Sequence, residues 1–254
     1  MQHLNLNTVL DLRAQKEALK DQGPRILAKK TKYVNLLDKK FILNLLFKRA
    51  KSPKMLLQLA SLYTIKKITP PGSTVRESAS RRLDAAALPL IDGLDLVDVY
   101  LHVFTRRKQE IRRAMLTCVE NPEDTRLPLL VHCTHGKDRT GLIVALLLHV
   151  CGASIESISA DYAATAEWCA TDEGRAAMLR SVPAGLLRCS GAKYERFCDA
   201  QAETIVQLFD LVGQRWGSVD AYLDGIGIDE GVRAEIRHAL TEPVSPSAMI
   251  GAPS

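Results

Sequence analysis

Leu127-Pro128-Leu129-Leu130-Val131-His132-Cys133-Thr134-His135-Gly136-Lys137-Asp138-Arg139-Thr140-Gly141 runs from an apolar stretch into a polar loop, and Leu142-Ile143-Val144-Ala145-Leu146-Leu147-Leu148 follows directly. The run at 127–131 has the length of a buried strand, and the run after the loop reads as a buried helix. Strand, glycine-containing loop and helix in that order predict an α/β domain built on a small, mainly parallel sheet flanked by helices.

Upstream, Leu6-Asn7-Thr8-Val9-Leu10-Asp11-Leu12 alternates well enough for a first strand, with Arg13 to Glu17 continuing into helix-compatible sequence. A second short strand is predicted at Lys32-Tyr33-Val34-Asn35-Leu36-Leu37. Between Lys39 and Lys67 apolar residues recur at helical spacing, and Ser52-Pro53 reads as a cap with a first-turn proline, so two consecutive amphipathic helices are expected. Pro70-Pro71-Gly72-Ser73 and the small, polar residues up to Asp95 predict a loop or mobile segment. From Leu94 to Val119 helix returns, with Ile111, Ala114, Met115, Cys118 and Val119 on one face. Downstream, Gly152-Ala153-Ser154 ends the apolar helix and caps another through Trp168, with Ile155, Ile158 and Tyr162 inward. Helices are also expected at 195–214 and 231–240. The catalytic domain is placed at 1–242 and a flexible Pro/Ser-rich tail at 243–254.

The 254 residues, 46% hydrophobic and 25% charged, have ordinary globular composition. Residues 1–70 hold 15 Lys/Arg against 4 Asp/Glu, a local +11 within a net +5. This basic part suits anionic substrates or surfaces, or simply solvates helix faces. The N-terminus lacks the pattern of a secretory signal, and the apolar helix is far shorter than the roughly 20 residues of a membrane span, so a cytoplasmic location without stable membrane insertion is expected. Six cysteines without a CxxC pair or zinc-ligand spacing point to reduced thiols, no metal site and no cofactor. Basic charge without interleaved aromatics argues against nucleic acid as a partner.

A phosphate dianion is best held by backbone N–H groups converging at a helix N-terminus, and residues 134–139 are suited to that role. Gly136 lets the backbone turn toward the anion, and the planar fork of Arg139 grips two oxygens. Cys133, at the strand end beneath the same donors, is the candidate nucleophile, since thiols in such settings fall from about 8.5 to roughly 3.5–7.5. The same property makes it prone to oxidation, while Cys118 and Cys151 read as core thiols. Thr140 is placed to donate its hydroxyl to the departing sulfur, and His132 to brace the loop. Asp138 is the first choice as general acid, ahead of Asp38, Asp84, Asp92 and Asp95; the alternative is that it only orients Arg139 or pairs with Lys137. Lys137 reads either as a rim cation for a second phosphate or as a solvated lysine. Thr134, His135, Gly136, Lys137, Asp138 and Arg139 together form the expected phosphate-binding set.

His-Cys-Thr-His-Gly-Lys-Asp-Arg-Thr-Gly resembles the HCxxGKDRTG loop of atypical tyrosine phosphatases of the mycobacterial protein tyrosine phosphatase B type. Val9-Leu10-Asp11-Leu12-Arg13, Asp161-Tyr162 and Gly217-Ser218-Val219-Asp220-Ala221-Tyr222-Leu223 extend the similarity along nearly the whole chain. The resemblance implies a tyrosine-phosphatase-like fold, a Cys133 nucleophile, a phosphate-binding Arg139 and an acid role for Asp138. It also implies action on phosphotyrosine, phosphoserine or phosphothreonine, and phosphoinositides, under a helical lid that residues 39–119 would supply. The family has a further stretch ahead of the Asp-Leu-Arg strand, so an N-terminal truncation is an expectation. Three functions follow in order of preference: a dual-specificity protein phosphatase, a phosphoinositide or inositol (pyro)phosphate phosphatase, and a non-catalytic phosphate-binding module. The expected partners are a phosphorylated protein or phosphoinositide, with peripheral membrane contact through the basic N-terminal half.

Overall fold

The computed structural model describes residues 6–19, 26, 28–37, 41, 44, 45, 47, 50, 52–92, 95–119, 128–181 and 200–241. In chain order its elements are β1 (Thr8–Asp11), α1 (Gln15–Ala18), β2 (Lys30–Tyr33), α2 (Pro53–Ile68), α3 (Thr74–Asp92), α4 (Leu96–Arg106) and α5 (Lys108–Leu116). They continue with β3 (Leu129–His132), α6 (Asp138–Val150), α7 (Ile155–Ala163), α8 (Thr165–Ala170), α9 (Asp172–Ser181), α10 (Ala202–Trp216), α11 (Val219–Asp224) and α12 (Glu230–Thr241).

The sheet is small and parallel, in the order β2-β1-β3. Central β1 is buried along its whole length, as a parallel strand covered on both faces must be. In register, Asp11 of β1 pairs with Tyr33 and with His132, so the C-terminal ends of all three strands lie on one edge. Sequence placed the second strand at 32–37, but the ladder there ends at Tyr33, and Val34 and Leu36 are buried in extended chain beyond it. The 127–131 run begins its strand two residues late and is half-buried, because β3 lies at the edge of the described sheet.

Contacts divide the chain into two units, one of Met1–Leu37, Val103–Ala163 and Gln201–Ser254 and the other of Asp38–His102 and Ala164–Ala200. In the first, α6 packs against β3, α5, α7 and α12, and α10 packs on α7 and α11. Its core gathers Val9, Leu10, Ile111, Met115, Leu142, Ile143, Leu146, Ile205 and Leu208. Tyr222 sits among these helices fully buried and donates its hydroxyl to the Phe104 carbonyl at 2.9 Å. Burial alone pushes that phenol above its ordinary range. The turn before it is set by Gly217 at φ 94° and by Ser218, whose hydroxyl accepts from Ala221 N–H at 2.9 Å and caps α11.

In the second unit α2 and α3 pack side by side through Leu59, Leu62, Leu83 and Leu90. The expected loop across 70–95 is therefore a helix over most of its length. Ser73 starts it by accepting from Arg76 N–H at 3.2 Å, and its buried positions Ala79, Leu83 and Leu90 keep helical spacing. Small alanines and Pro89 concealed that stripe from a reading by large apolar residues. The helix expected at 94–119 is two, separated at Arg107, whose backbone leaves the helical region at φ −116°, ψ 30°. The one expected from Ser154 to Trp168 is also two, α7 and α8, with Ile158 and Tyr162 buried and Ile155 half-buried. Of the first helix predicted between Lys39 and Lys67 only residues 41, 44, 45 and 47 are described, all helical, and residues 195–199 and the tail lie outside the described residues.

Candidate active site

The polar loop leaves β3 at Cys133 and enters α6 at Asp138. Gly136, at φ 71°, takes the left-handed backbone the turn requires, and a side chain there would be strained. No side chain caps α6 at Lys137, which leaves the first-turn N–H groups for another acceptor. Gly141 has a different purpose. A Cβ at that position would stand 2.6 Å from the Tyr162 ring, so glycine admits the buried ring of α7 against the first turn of α6. The Thr-Gly and Asp-Tyr stretches quoted from the sequence thus meet at one contact.

Beneath the loop, Asp11 and Arg13 form a buried ion pair. Arg13 donates from Nε at 2.9 Å and 3.1 Å and from Nη2 at 2.7 Å to the Asp11 carboxylate, and its own backbone N–H joins at 3.0 Å. His132 lies across the strand pair, its Nε2 3.6 Å from Asp11 Oδ2, and its Nδ1 donates to the Cys133 carbonyl at 3.0 Å. The Asp-Leu-Arg ending of β1 and the histidine before the cysteine therefore form one polar base at the strand end that carries Cys133. Cys133 itself is buried and carries no disulfide, as are Cys118 and Cys169.

Arg139 reaches over the loop from the first turn of α6. Its guanidinium feels the charge of the Cys133 sulfur. Nη2 also donates to Thr134 Oγ1 at 2.7 Å and to Glu17 Oε1 at 3.0 Å, and Nη1 donates to Glu17 Oε2 at 3.2 Å. Thr134 completes the ring by donating its hydroxyl to Glu17 Oε1 at 2.9 Å. A two-oxygen anion is thus seated on the guanidinium fork beside the sulfur. Burial by itself lowers the Arg139 pKa, but the hydrogen bonds and charges of Glu17 and Cys133 outweigh it and leave the guanidinium more firmly protonated than usual. Glu17 is the converse: burial raises its pKa, while Arg139, Thr134 and Arg13 outweigh that and hold the carboxyl below its ordinary value.

Glu17 was read from sequence only as part of a helix-compatible stretch. Two cues point to it: it follows the end of β1 by six residues, and parallel neighbours send the loops after their C-terminal ends to the same edge. A group with a depressed pKa stabilises the fold fully above its unfolded value, about 4.3 for glutamate, and loses that contribution as pH falls through the folded value. Glu17→Gln is accordingly expected to cost up to about 1 kcal/mol at neutral pH, since the carboxylate is half-exposed, and nothing at about pH 3. Urea denaturation of both forms at the two pH values measures this, and an equal difference at both refutes it.

Lys137 is neither at a rim nor solvated. Its side chain is wholly buried, with Nζ 3.3 Å from Asp138 Oδ1, because an ammonium removed from water must lie against an opposite charge. Asp138 is mostly buried at the start of α6. The Thr140 hydroxyl is buried without a hydrogen-bond partner and does not bond the sulfur here. His135 lies in the loop, half-buried. Asp84 and Asp95 belong to the other unit; Asp38 and the Asp92 side chain lie outside the described residues. Among the described residues no group of His, Cys, Asp and Glu is arranged to hold a metal ion, and no helix is long and apolar enough to cross a membrane.

No curated protein matches the chain. The chain matches the sequence model of the tyrosine phosphatase family. That model matches residues 1–242, nearly the entire chain, which therefore belongs to this family.

Proposed function

We propose that the chain is a phosphoric monoester hydrolase of the HCxxGKDRTG type that works through a phosphocysteine and acts on phosphotyrosine with dual specificity toward phosphoserine and phosphothreonine. The observation that carries this reading is the Arg139 fork, which holds both oxygens of a carboxylate at the loop that begins with Cys133. A phosphate taking the place of the Glu17 carboxylate would present phosphorus to the sulfur with two oxygens already neutralised. The Cys133 thiolate attacks phosphorus, the bond to the leaving oxygen breaks, and Asp138 gives that oxygen its proton. Water then attacks the phosphocysteine, the P–S bond breaks, the proton of the water returns to Asp138, and the sulfur leaves as thiolate with the Thr140 hydroxyl as its donor. Lys137 pairs with the Asp138 carboxylate, so the acid role requires that ion pair to open as Asp138 takes up its proton.

Asp138→Asn is expected to lower turnover of phosphotyrosine peptides by about 10²–10⁴-fold and to remove the basic limb of the pH–rate profile. A small aryl phosphate with a better leaving group should lose less. An unchanged rate and profile would remove Asp138 from the acid role.

A second reading, hydrolysis of phosphoinositides or inositol (pyro)phosphates, is favoured by the basic N-terminal half. A panel of phosphotyrosine peptides, phosphoserine peptides, phosphoinositides and inositol pyrophosphates separates the two. Clear preference for the inositol compounds would replace the first reading, and binding without turnover of any of them would leave only a phosphate-binding module.

A further inference from the structure

Helix α2 is apolar on two sides. One side, with Leu59, Leu62, Met55 and Tyr63, is occupied by the packing against α3. On the other, Leu57 and Ile68 are 72% and 74% exposed, and Ile65 is 36% exposed. Positions 57, 61, 64, 65 and 68 keep the spacing of a single helical stripe, so these side chains share a face. The turn after the helix adds Val75, 55% exposed.

That turn is a built structure. Thr69 Oγ1 donates to the Ile65 carbonyl at 2.6 Å, Ser73 Oγ donates to the Pro70 carbonyl at 3.0 Å, and Arg76 Nη1 donates to the Thr69 carbonyl at 2.8 Å. It holds Ile68 and Val75 on either side of Pro70-Pro71-Gly72. Clustered large aliphatic side chains in water mark a surface that meets something else.

Charge identifies the occupant. Residues 39–76 contain nine Lys and Arg and no Asp or Glu. Lys54 and Lys67 are exposed on α2, and Lys66 is partly so. Protein interfaces favour aromatic residues and arginine and are depleted in lysine, whereas aliphatic residues bordered by lysine are the composition of a helix lying at a bilayer surface. Lysine stems can lie along the apolar face while their ammonium groups reach lipid phosphates.

We propose that the α2–α3 hairpin docks the protein on an anionic bilayer surface, with Leu57, Ile65, Ile68 and Val75 entering the boundary between headgroups and acyl chains and Lys54 and Lys67 at the phosphates. It rests on the second unit alone and is independent of the phosphatase reading.

The test is co-sedimentation of the full chain, carrying Cys133→Ser so that no lipid is turned over, with phosphatidylcholine–phosphatidylserine vesicles and with phosphatidylcholine vesicles. Binding to the anionic vesicles, weakened by salt, is expected. Neutralising each of Lys54 and Lys67 should weaken it about five-fold, and Lys54→Glu with Lys67→Glu by about 25-fold or more. Ile68→Ser with Val75→Ser should weaken it about ten-fold or more. In chains that keep Cys133, both double variants should retain aryl phosphate turnover, since neither alters the loop. Absence of binding to anionic vesicles, binding unchanged in both variants, or a self-associated chain that leaves the vesicles unbound overturns the proposal. A failed phosphatase reading would show in turnover and leave sedimentation untouched.

Discussion

Cys133→Ser is expected to lower turnover of a small aryl phosphate by at least about 10⁴-fold, the scale on which loss of a covalent nucleophile is felt. The hydroxyl of serine is a far weaker acid than a thiol and supplies almost no anion at neutral pH. The rest of the site should survive, because the contacts of Arg139 with Glu17 and Thr134 do not pass through the sulfur. Inhibition by inorganic phosphate in the wild type and phosphate binding to the variant by calorimetry should therefore report similar affinities. A phosphate adduct on Cys133 in acid-quenched wild-type enzyme, seen by mass spectrometry, would identify the intermediate. Undiminished turnover in the variant would overturn the nucleophile assignment.

Arg139→Lys is expected to lower kcat/KM by about 10²–10³-fold although the charge is kept. Arginine here makes contacts that diverge from one plane: the Thr134 hydroxyl and both oxygens of a carboxylate. An ammonium is a point charge on a flexible stem and cannot span them together. Steady-state kinetics with the aryl phosphate, together with the inhibition constant of inorganic phosphate, measures the loss. If lysine supports the wild-type rate, the fork geometry is irrelevant and only charge matters.

The decisive part of the fold was legible because it is local. The run from Leu129 to Val150 encodes strand, turn and helix by adjacent residues, and Gly136 marks the turn at the one loop position that needs positive φ. Ile111, Ala114, Met115 and Cys118 were equally readable, since a helix buries them at its own period. Helix α3 was missed because its buried stripe is built partly of alanine, which carries little hydrophobic signal, and because a diproline stood in front of it. Glu17 and the buried state of Lys137 were illegible for another reason. Each is decided by residues brought together by the fold, and a charged side chain in sequence looks the same whether it faces water or a partner.

The polar base joining Asp11, Arg13 and His132, and the ring joining Glu17, Thr134 and Arg139, have a consequence for how the enzyme is made. Glu17 and Thr134 are 117 residues apart, and Glu17 and Arg139 are 122 apart. A chain emerging from the ribosome presents β1 and β2 long before β3, and contacts of such sequence separation close slowly. The ring does not exist until the third strand arrives beside the first. A chain cut short of β3 and the loop after it therefore lacks this ring, however well β1 and β2 have paired.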